Sequence, residues 1–574
     1  MIYFILVWNV LIAVCWIVGT GVLLRLRASS FHRLGDRLII AVWTGVVLLA
    51  ITLLATSLVL PLSPLVGIIV AVTLSCAALS DHQVRAELMG LKQKISTATI
   101  AVGFALEAAI AALTSHEVTW IDTGLYHYGI IQWLAKFGTV PGLALLFSNL
   151  GFTSSWFALA APLNSELLDA RASAIINGFI FLIVLLHFCI CLRRIGLKAA
   201  QVADWLIVCS LIFLTPFIAT NNLLALILVS ASPDLPVIFL PLIITWSIII
   251  ISNTDQQSNA QKLLQQETER VRLLPLILAI AAVTIKLTAL PLLLVCLIFQ
   301  TTSRKPVRQL FLSMALMVLL LTPFLAASVL TSGCPLYPSS AFCLNLPWAI
   351  PRQAAAATAR GTHGWAPWSF SSLSNQNFGS LLFQWISSNK LNLAMAIFII
   401  LAIGFTLYGL AVPKLRRTPG YIWTILLSTS GIGFLWITAP FFRFALGYLI
   451  LLPALSTAIL LQASLFWDRL NFPQQIVNFV RLLNTRRAIS LNLSFISAFV
   501  IILALAYSIQ HTQILLPPPL KKVQFTQKQI NDISYRSPVN DVCWSTEIPC
   551  AFKPEKIRLR DPAHRLQAGF IRSD

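Results

Sequence analysis

Apolar stretches of about 18 residues or more recur along this chain from end to end. Each is long enough to cross a ~30 Å hydrocarbon layer as a helix rising 1.5 Å per residue. Spans are expected at roughly 2–24, 38–60, 65–79, 97–114, 172–192, 204–219, 235–251, 309–331, 391–412, 420–437, 446–464 and 489–509, with an unusual apolar segment at 273–300. The expected fold class is an all-α polytopic membrane protein with about 12 transmembrane helices. Only 10% of the residues are charged, against about 25% in a soluble domain. This excludes a soluble enzyme and a disordered chain. The formal charge of +20 would suggest nucleic acid in a soluble protein, but here topology explains it and no nucleic-acid partner is expected.

Lys and Arg concentrate in the cytoplasmic connections of membrane proteins. One alternate set of connections carries 23 of them, including Arg25, Arg33, Arg37, Arg194, Arg272, Arg308 and Arg417; the other set carries six. The first set is therefore expected to face the cytoplasm, with the N-terminus and the C-terminal tail outside. That tail is basic, but long terminal segments cross largely regardless of charge. No cleavable signal peptide is evident, because Met1 to Leu24 lacks a basic start. Residues 1–96 read as N-terminal accessory helices, 97–509 as the core with outer loops 115–171 and 332–390, and 510–574 as a small extracytoplasmic cap with Pro517, Pro518 and Pro519 as a stiff hinge. Six of the ten Cys fall in spans. Cys334 with Cys343, and Cys543 with Cys550, lie close together on the expected oxidising face, so two disulfides are favoured over free thiols. A zinc site lacks neighbouring His at ligand spacing.

The segment LLPLILAIAAVTIKLTALPLLLVCLIFQ (273–300) has basic clusters at both ends. A single crossing would reverse every later element, so a hairpin of two short helices is expected, with Lys286 and Thr288 at its tip. A Lys at membrane depth costs ~2.5–3.5 kcal/mol on insertion scales and faces a water-filled cavity or a fixed anion; the alternative is that it snorkels to the interface. In loop 115–171, Ile121, Leu125, Ile130, Ile131 and Leu134 recur at helical spacing, as in a helix lying in the membrane interface. Asp122 reads either as a helix cap or, with Glu117, Tyr126 and His127, as one of four titratable groups packed into eleven residues. Asp234 in SPDLP has the same two readings. Trp348, Trp365, Trp368 and Trp385 of loop 332–390 suit a sugar or lipid head group, or else the membrane interface. Arg443, alone between two spans, is a candidate phosphate clamp because its planar fork holds an anion bidentately.

WIDTGLYHYGIIQWL (120–134), placed after an inside-to-outside span, resembles the first outer loop of the GT-C membrane glycosyltransferases, and AVTIKLTALPLLL resembles their Lys-containing hairpin. The whole chain more closely resembles a bacterial family of multispanning membrane proteins of unassigned function, through IDTGLYHYGIIQWL, VPGL, GFTSSWF, SPDLP, TIKLTALP, PLYPS, APFFRF and the CW…PC tail. The GT-C resemblance implies a GT-C-like core and an inverting transfer of a sugar from a polyprenyl-phosphate donor on the outer face of the bacterial cytoplasmic (inner) membrane. It implies Asp122 as catalytic base and Lys286 in the hairpin. Tyr126 keeps the family's spacing, while Thr123 stands where a second acidic residue would be, so no metal site is carried over and a divalent ion near Asp122 is left open. No cofactor is expected. Tyr126, His127, Lys286, Arg443, Asp234 and Trp348 are the substrate-binding candidates, and the acceptor is a glycan, lipid or protein. The rival readings are a transporter of a lipid-linked sugar or organic anion and a non-catalytic envelope-assembly scaffold.

Overall fold

The structure, a computed structural model, describes the chain except residues 93–95, 165–167, 169–174, 221, 259–268, 304–305, 364–377, 463–487, 512–513, 553 and 574. Its helices are α1 (Ile2–Arg25), α2 (Leu34–Ser57), α3 (Pro64–Leu79), α4 (His82–Lys92), α5 (Thr97–Thr114), α6 (Tyr128–Phe137), α7 (Ile175–Gly196), α8 (Val202–Thr220), α9 (Asp234–Ser258), α10 (Leu273–Ile285), α11 (Leu290–Thr301) and α12 (Pro306–Ser332). They continue with α13 (Arg352–His363), α14 (Phe378–Ser388), α15 (Lys390–Ala411), α16 (Tyr421–Thr438), α17 (Phe442–Leu449), α18 (Leu451–Gln462) and α19 (Ala488–His511); shorter turns are left unnumbered. An apolar run in lipid has no water to pair with its backbone, so the helix, which satisfies every N–H and C=O internally, is the form it takes.

The chain is a mostly helical, multi-pass membrane protein. Among the described residues nine helices are long and apolar enough to cross a bilayer, counting α17 and α18 as one. Of the twelve expected spans, the one at 65–79 is a pair, α3 and α4, bent by 94°, and those at 204–219 and 489–509 fall on α8 and α19, helices of 19 and 24 residues. α9 is the central pillar, buried along almost its whole length, whereas α12 and α15 turn Phe311, Val318, Leu319, Ile400 and Leu407 outward to lipid. α2 is largely buried too and packs against α7, α10 and α12. Residues 1–96 thus share one core with the helices after residue 96.

The segment 273–300 is a hairpin. The Arg272 guanidinium donates to Phe299 O at 3.4 Å and to Thr302 Oγ1 at 2.9 Å, and the Gln300 amide donates back to Arg272 O. Both ends therefore sit together. α10, at 13 residues, rises about 20 Å and stops at Lys286, whose backbone is extended (φ −158°, ψ 133°). Pro291 in the first turn of α11 restarts the helix, as a residue without an N–H can do at that position alone.

Two faces are distinguishable. Ile2 N–H donates to Ile514 O at 2.8 Å, so the N-terminus lies beside the tail. At the other face, the start of α2, the end of α7 and the start of α8 meet through Arg33, Asp36, Arg194 and Asp204. The tail departs from the all-α pattern. It forms two antiparallel ribbons, β1 (Phe525–Ile530) with β2 (Ile533–Pro538), and β3 (Ile557–Leu559) with β4 (Phe570–Arg572). Both expected disulfides, Cys334–Cys343 and Cys543–Cys550, are formed.

The apolar face of the amphipathic stretch in loop 115–171 is turned to protein. Ile130, Ile131, Trp133 and Leu134 of α6 are buried in the protein core, with Leu62 N–H bonded to Leu134 O and the ring of Trp133 edge-on to Phe570 of the tail.

Candidate functional site

At the tail face, side chains from four distant stretches of sequence meet. Asp122 opens a single π-helical turn, Thr123–His127, the kind of widened turn that occurs at functional sites. Asp122 makes no capping bond to that turn. Its Oδ2 instead accepts from Arg443 Nη1 at 2.9 Å. Arg443 Nε lies 3.5 Å from Asp234 Oδ2, and Lys286 Nζ donates to Asp234 Oδ1. The result is a chain of alternating charge, Asp122–Arg443–Asp234–Lys286. Asp234, in the middle, is the most deeply buried, with its side chain 3% exposed against 18% for Asp122 and 21% for Lys286. Among the described residues Asp122 Oδ1 and Arg443 Nη2 take no hydrogen-bond partner.

Aromatic faces complete the setting. Phe444 lies between the two cations, 3.6 Å from Lys286 Nζ and 4.9 Å from the Arg443 guanidinium, and the ring of Trp120 lies 4.9 Å from that guanidinium. Such contacts favour a cation over water loss by about 0.5–2 kcal/mol each. Tyr126 meets His127 edge-on and packs on Phe152 and Phe157. Burial pushes the Tyr126 phenol well above its ordinary range, an effect to which the Asp122 and Asp234 charges add. Burial lowers His127 to about 3, so the imidazole is neutral at physiological pH. Its Nδ1 is 3.3 Å from Thr123 Oγ1.

The scaffold behind these groups is built from the other short motifs. In GFTSSWF, Ser154 Oγ donates to Ile285 O at 2.8 Å and Ser155 Oγ lies 2.9 Å from Thr284 Oγ1, which holds the hairpin tip just before Lys286. Tyr448 OH donates to Thr288 O on its far side. Trp156 Nε1 donates to Asn177 Oδ1, and the Asn177 amide donates to Ile227 O and Ser232 O, pinning the loop that delivers Asp234. Asn177 was not singled out from sequence, nor were Thr123, Trp120 and Phe444 given a place in the site. Only the clustering of Phe around Arg443 in APFFRF hinted at the last.

Six of the seven candidates, Asp122, Tyr126, His127, Asp234, Lys286 and Arg443, are brought into this one region. Trp348 is not. Its Nε1 donates to Val329 O at 3.1 Å and the Arg560 guanidinium lies 5.1 Å from its ring, so it serves the seat of the tail. Trp385 packs edge-on against Trp436 of α16, and Trp365 and Trp368 lie outside the described residues. Among the described residues no three His, Cys, Asp or Glu side chains converge as metal ligands would.

The arrangement offers an anion two cationic donors and offers a hydroxyl a carboxylate oxygen, within one partly exposed cluster. A family model described as a domain of unknown function, DUF8201, matches residues 1–450. The chain belongs to this family. The match runs through all four members of the charge chain and ends before the tail. No curated protein and no solved structure matches.

Proposed function

We propose that this cluster is the active centre of an inverting glycosyltransferase that uses a polyprenyl-phosphate-linked sugar at the outer face of a bacterial cytoplasmic membrane. The observation that carries the reading is the joining of Asp122 and Lys286 through Arg443 and Asp234 into one charge chain with open valences at Asp122 and Arg443. A lone base, or a lone amine, would not support it.

In this mechanism the donor phosphate is bound by Arg443 Nη2 and Lys286 Nζ while its lipid tail stays in the bilayer. Two cations around a phosphate stabilise the charge that grows on it as the glycosidic C–O bond breaks. Arg443 turning toward the phosphate loosens its hold on Asp122. The freed carboxylate accepts the proton of an acceptor hydroxyl as that oxygen attacks the anomeric carbon from the opposite face. Asp234 keeps both cations in place. Neutral His127 and un-ionised Tyr126 add hydrogen-bonding groups and no charge. Because a lipid phosphate is a good leaving group, positioning and charge supply most of the rate.

The test is transfer from polyprenyl-phosphate sugars by the purified protein in lipid vesicles. Asp122→Asn is expected to lower turnover by roughly 10²–10⁴-fold while leaving donor-lipid binding and melting temperature near wild type. Wild-type turnover in the variant removes the base. Movement of a solute across the vesicle membrane with no lipid-linked sugar consumed replaces the enzyme with a carrier.

A further inference from the structure

The tail reaches the site. Trp544 N–H donates to Gly124 O at 2.9 Å, in the middle of the π-turn that begins at Asp122. The approach is so close that a Cβ on Gly124 would stand 2.4 Å from Trp544 Cδ2 and 2.7 Å from Val542 Cγ2. Glycine is required there by the neighbour, since its own backbone is ordinary.

The Trp544 ring is buried in a small apolar cluster of its own with Val118, Tyr128 and Leu520. Val118 precedes Asp122 in the chain and Tyr128 follows the π-turn, so this cluster joins both flanks of the segment that carries the carboxylate. Trp544 is itself held from behind. Its Nε1 donates to Asp541 Oδ1 at 2.9 Å, Val542 N–H donates to the same oxygen at 2.8 Å, and Lys521 Nζ pairs with Asp541 Oδ2 at 2.6 Å. Its backbone lies at φ +42°, a left-handed conformation that a bulky side chain rarely takes. Cys543, bonded to Cys550, is the next residue toward the N-terminus. Side-chain bonds, an ion pair and a disulfide thus over-determine a strained residue, the circumstance in which strain persists at functional sites.

We propose that Trp544, on the disulfide-closed loop 543–550, is a positioning residue that clamps the π-turn at Gly124 and sets the direction of the Asp122 carboxylate toward Arg443. The clamp is a matter of local order and stands whether or not the cluster transfers sugar; its effect on turnover rests on the glycosyltransferase reading. The tail is then a working part of the centre, although it lies beyond the stretch matched by the family model.

Hydrogen–deuterium exchange on the full-length protein in detergent tests it, comparing wild type with Trp544→Ala, Trp544→Phe and the pair Cys543→Ser/Cys550→Ser. Amides of residues 123–128 are expected to exchange about tenfold faster in Trp544→Ala and in the serine pair. Those of α9 and α10 keep their wild-type rates, and Trp544→Phe, which retains an aromatic ring in the cluster, restores slow exchange. Turnover should fall in Trp544→Ala with donor KM unchanged and recover in Trp544→Phe. Unchanged exchange at 123–128 overturns the proposal, as does an equal acceleration in α9 and α10, which would make Trp544 merely structural. If Trp544→Ala does not fold, the serine pair decides by the same two criteria. Faster exchange in a protein whose wild type transfers no sugar keeps the clamp and removes the enzyme.

Discussion

Two four-membered charge networks stand at opposite ends of the bundle, and they are built differently. At the face away from the tail, Arg33 binds Asp36 at 2.6 Å and Asp204 at 2.7 and 3.1 Å, Arg194 binds both carboxylates, and Gln201 N–H donates to Asp204 at 2.8 Å. This is a closed ring. Each carboxylate touches both cations, and the Asp36 and Asp204 side chains are 2% and 0% exposed. The network at the tail face is an open chain. Only Asp234 touches two cations, and the ends at Asp122 and Lys286 are partly exposed. In the ring each carboxylate is held by both cations, which staples α2, α7 and α8 together; in the open chain Asp122 Oδ1 has no hydrogen-bond partner among the described residues. Two carboxylates and two cations thus give a joint in one place and, on the proposed reading, a centre for chemistry in the other.

The comparison breaks most easily at the ring. Asp204→Ala leaves Asp36 as the one carboxylate holding two partly buried guanidinium groups, and removing one partner of a buried pair costs about 3–5 kcal/mol. Thermal unfolding in detergent should show that loss, while turnover per folded molecule stays near wild type. Lost turnover with unchanged stability would reverse the roles of the two networks. Arg443→Lys tests the open chain from the other side. A Lys keeps the charge but loses the fork that reaches Asp122 and Asp234 together, so turnover should fall roughly a hundredfold, about 2.7 kcal/mol, with a small change in melting temperature.

His127 sharpens the contrast through pH. Its pKa of about 3 in the folded protein lies below the ordinary 6.5, so the unfolded chain takes up the proton first as pH falls. Stability is full above 6.5 and is lost progressively between 6.5 and 3, by about 2 kcal/mol at pH 5. Melting temperature against pH should therefore have a shallower acid limb in His127→Gln than in wild type. The smallest effect belongs to the exposed pair Arg536–Glu547 in the tail, 2.8 Å apart with Glu547 62% exposed. Glu547→Gln should change stability by about 0.5 kcal/mol or less, the baseline against which the two networks are judged.

Much of this molecule is legible in its residues alone. The hairpin is implied by one Lys inside an apolar run flanked by basic residues at both ends, and the two disulfides by close-spaced Cys on one expected face. Asp122, Lys286 and Arg443 stand out as charges where apolar or interfacial neighbours make charge costly. Asp234 does not. Beside two prolines at the start of a span it reads equally as a helix cap, and nothing local says that it holds both cations. Trp348 lies apart from the charge chain for a similar reason: a Trp in a loop has several uses, and which one applies depends on what packs against it, here Arg560 of the tail. That the apolar face of α6 packs on protein was not legible either, because segments far away in sequence cover it.

Apolar run length, the placement of basic residues and the spacing of cysteines act over a few neighbouring residues, so the sequence alone determined that the chain threads a bilayer many times, with a re-entrant hairpin and a disulfide-tied tail. Which charges pair is another matter. A carboxylate at position 122, a guanidinium at 443 and an amine at 286 meet only because the loops at the tail face, the hairpin tip and the start of α9 are packed against one another. Only the tertiary structure decided that, and with it which of two similar charge networks is closed and which is open, because ion pairing depends on distances in space that no local pattern encodes.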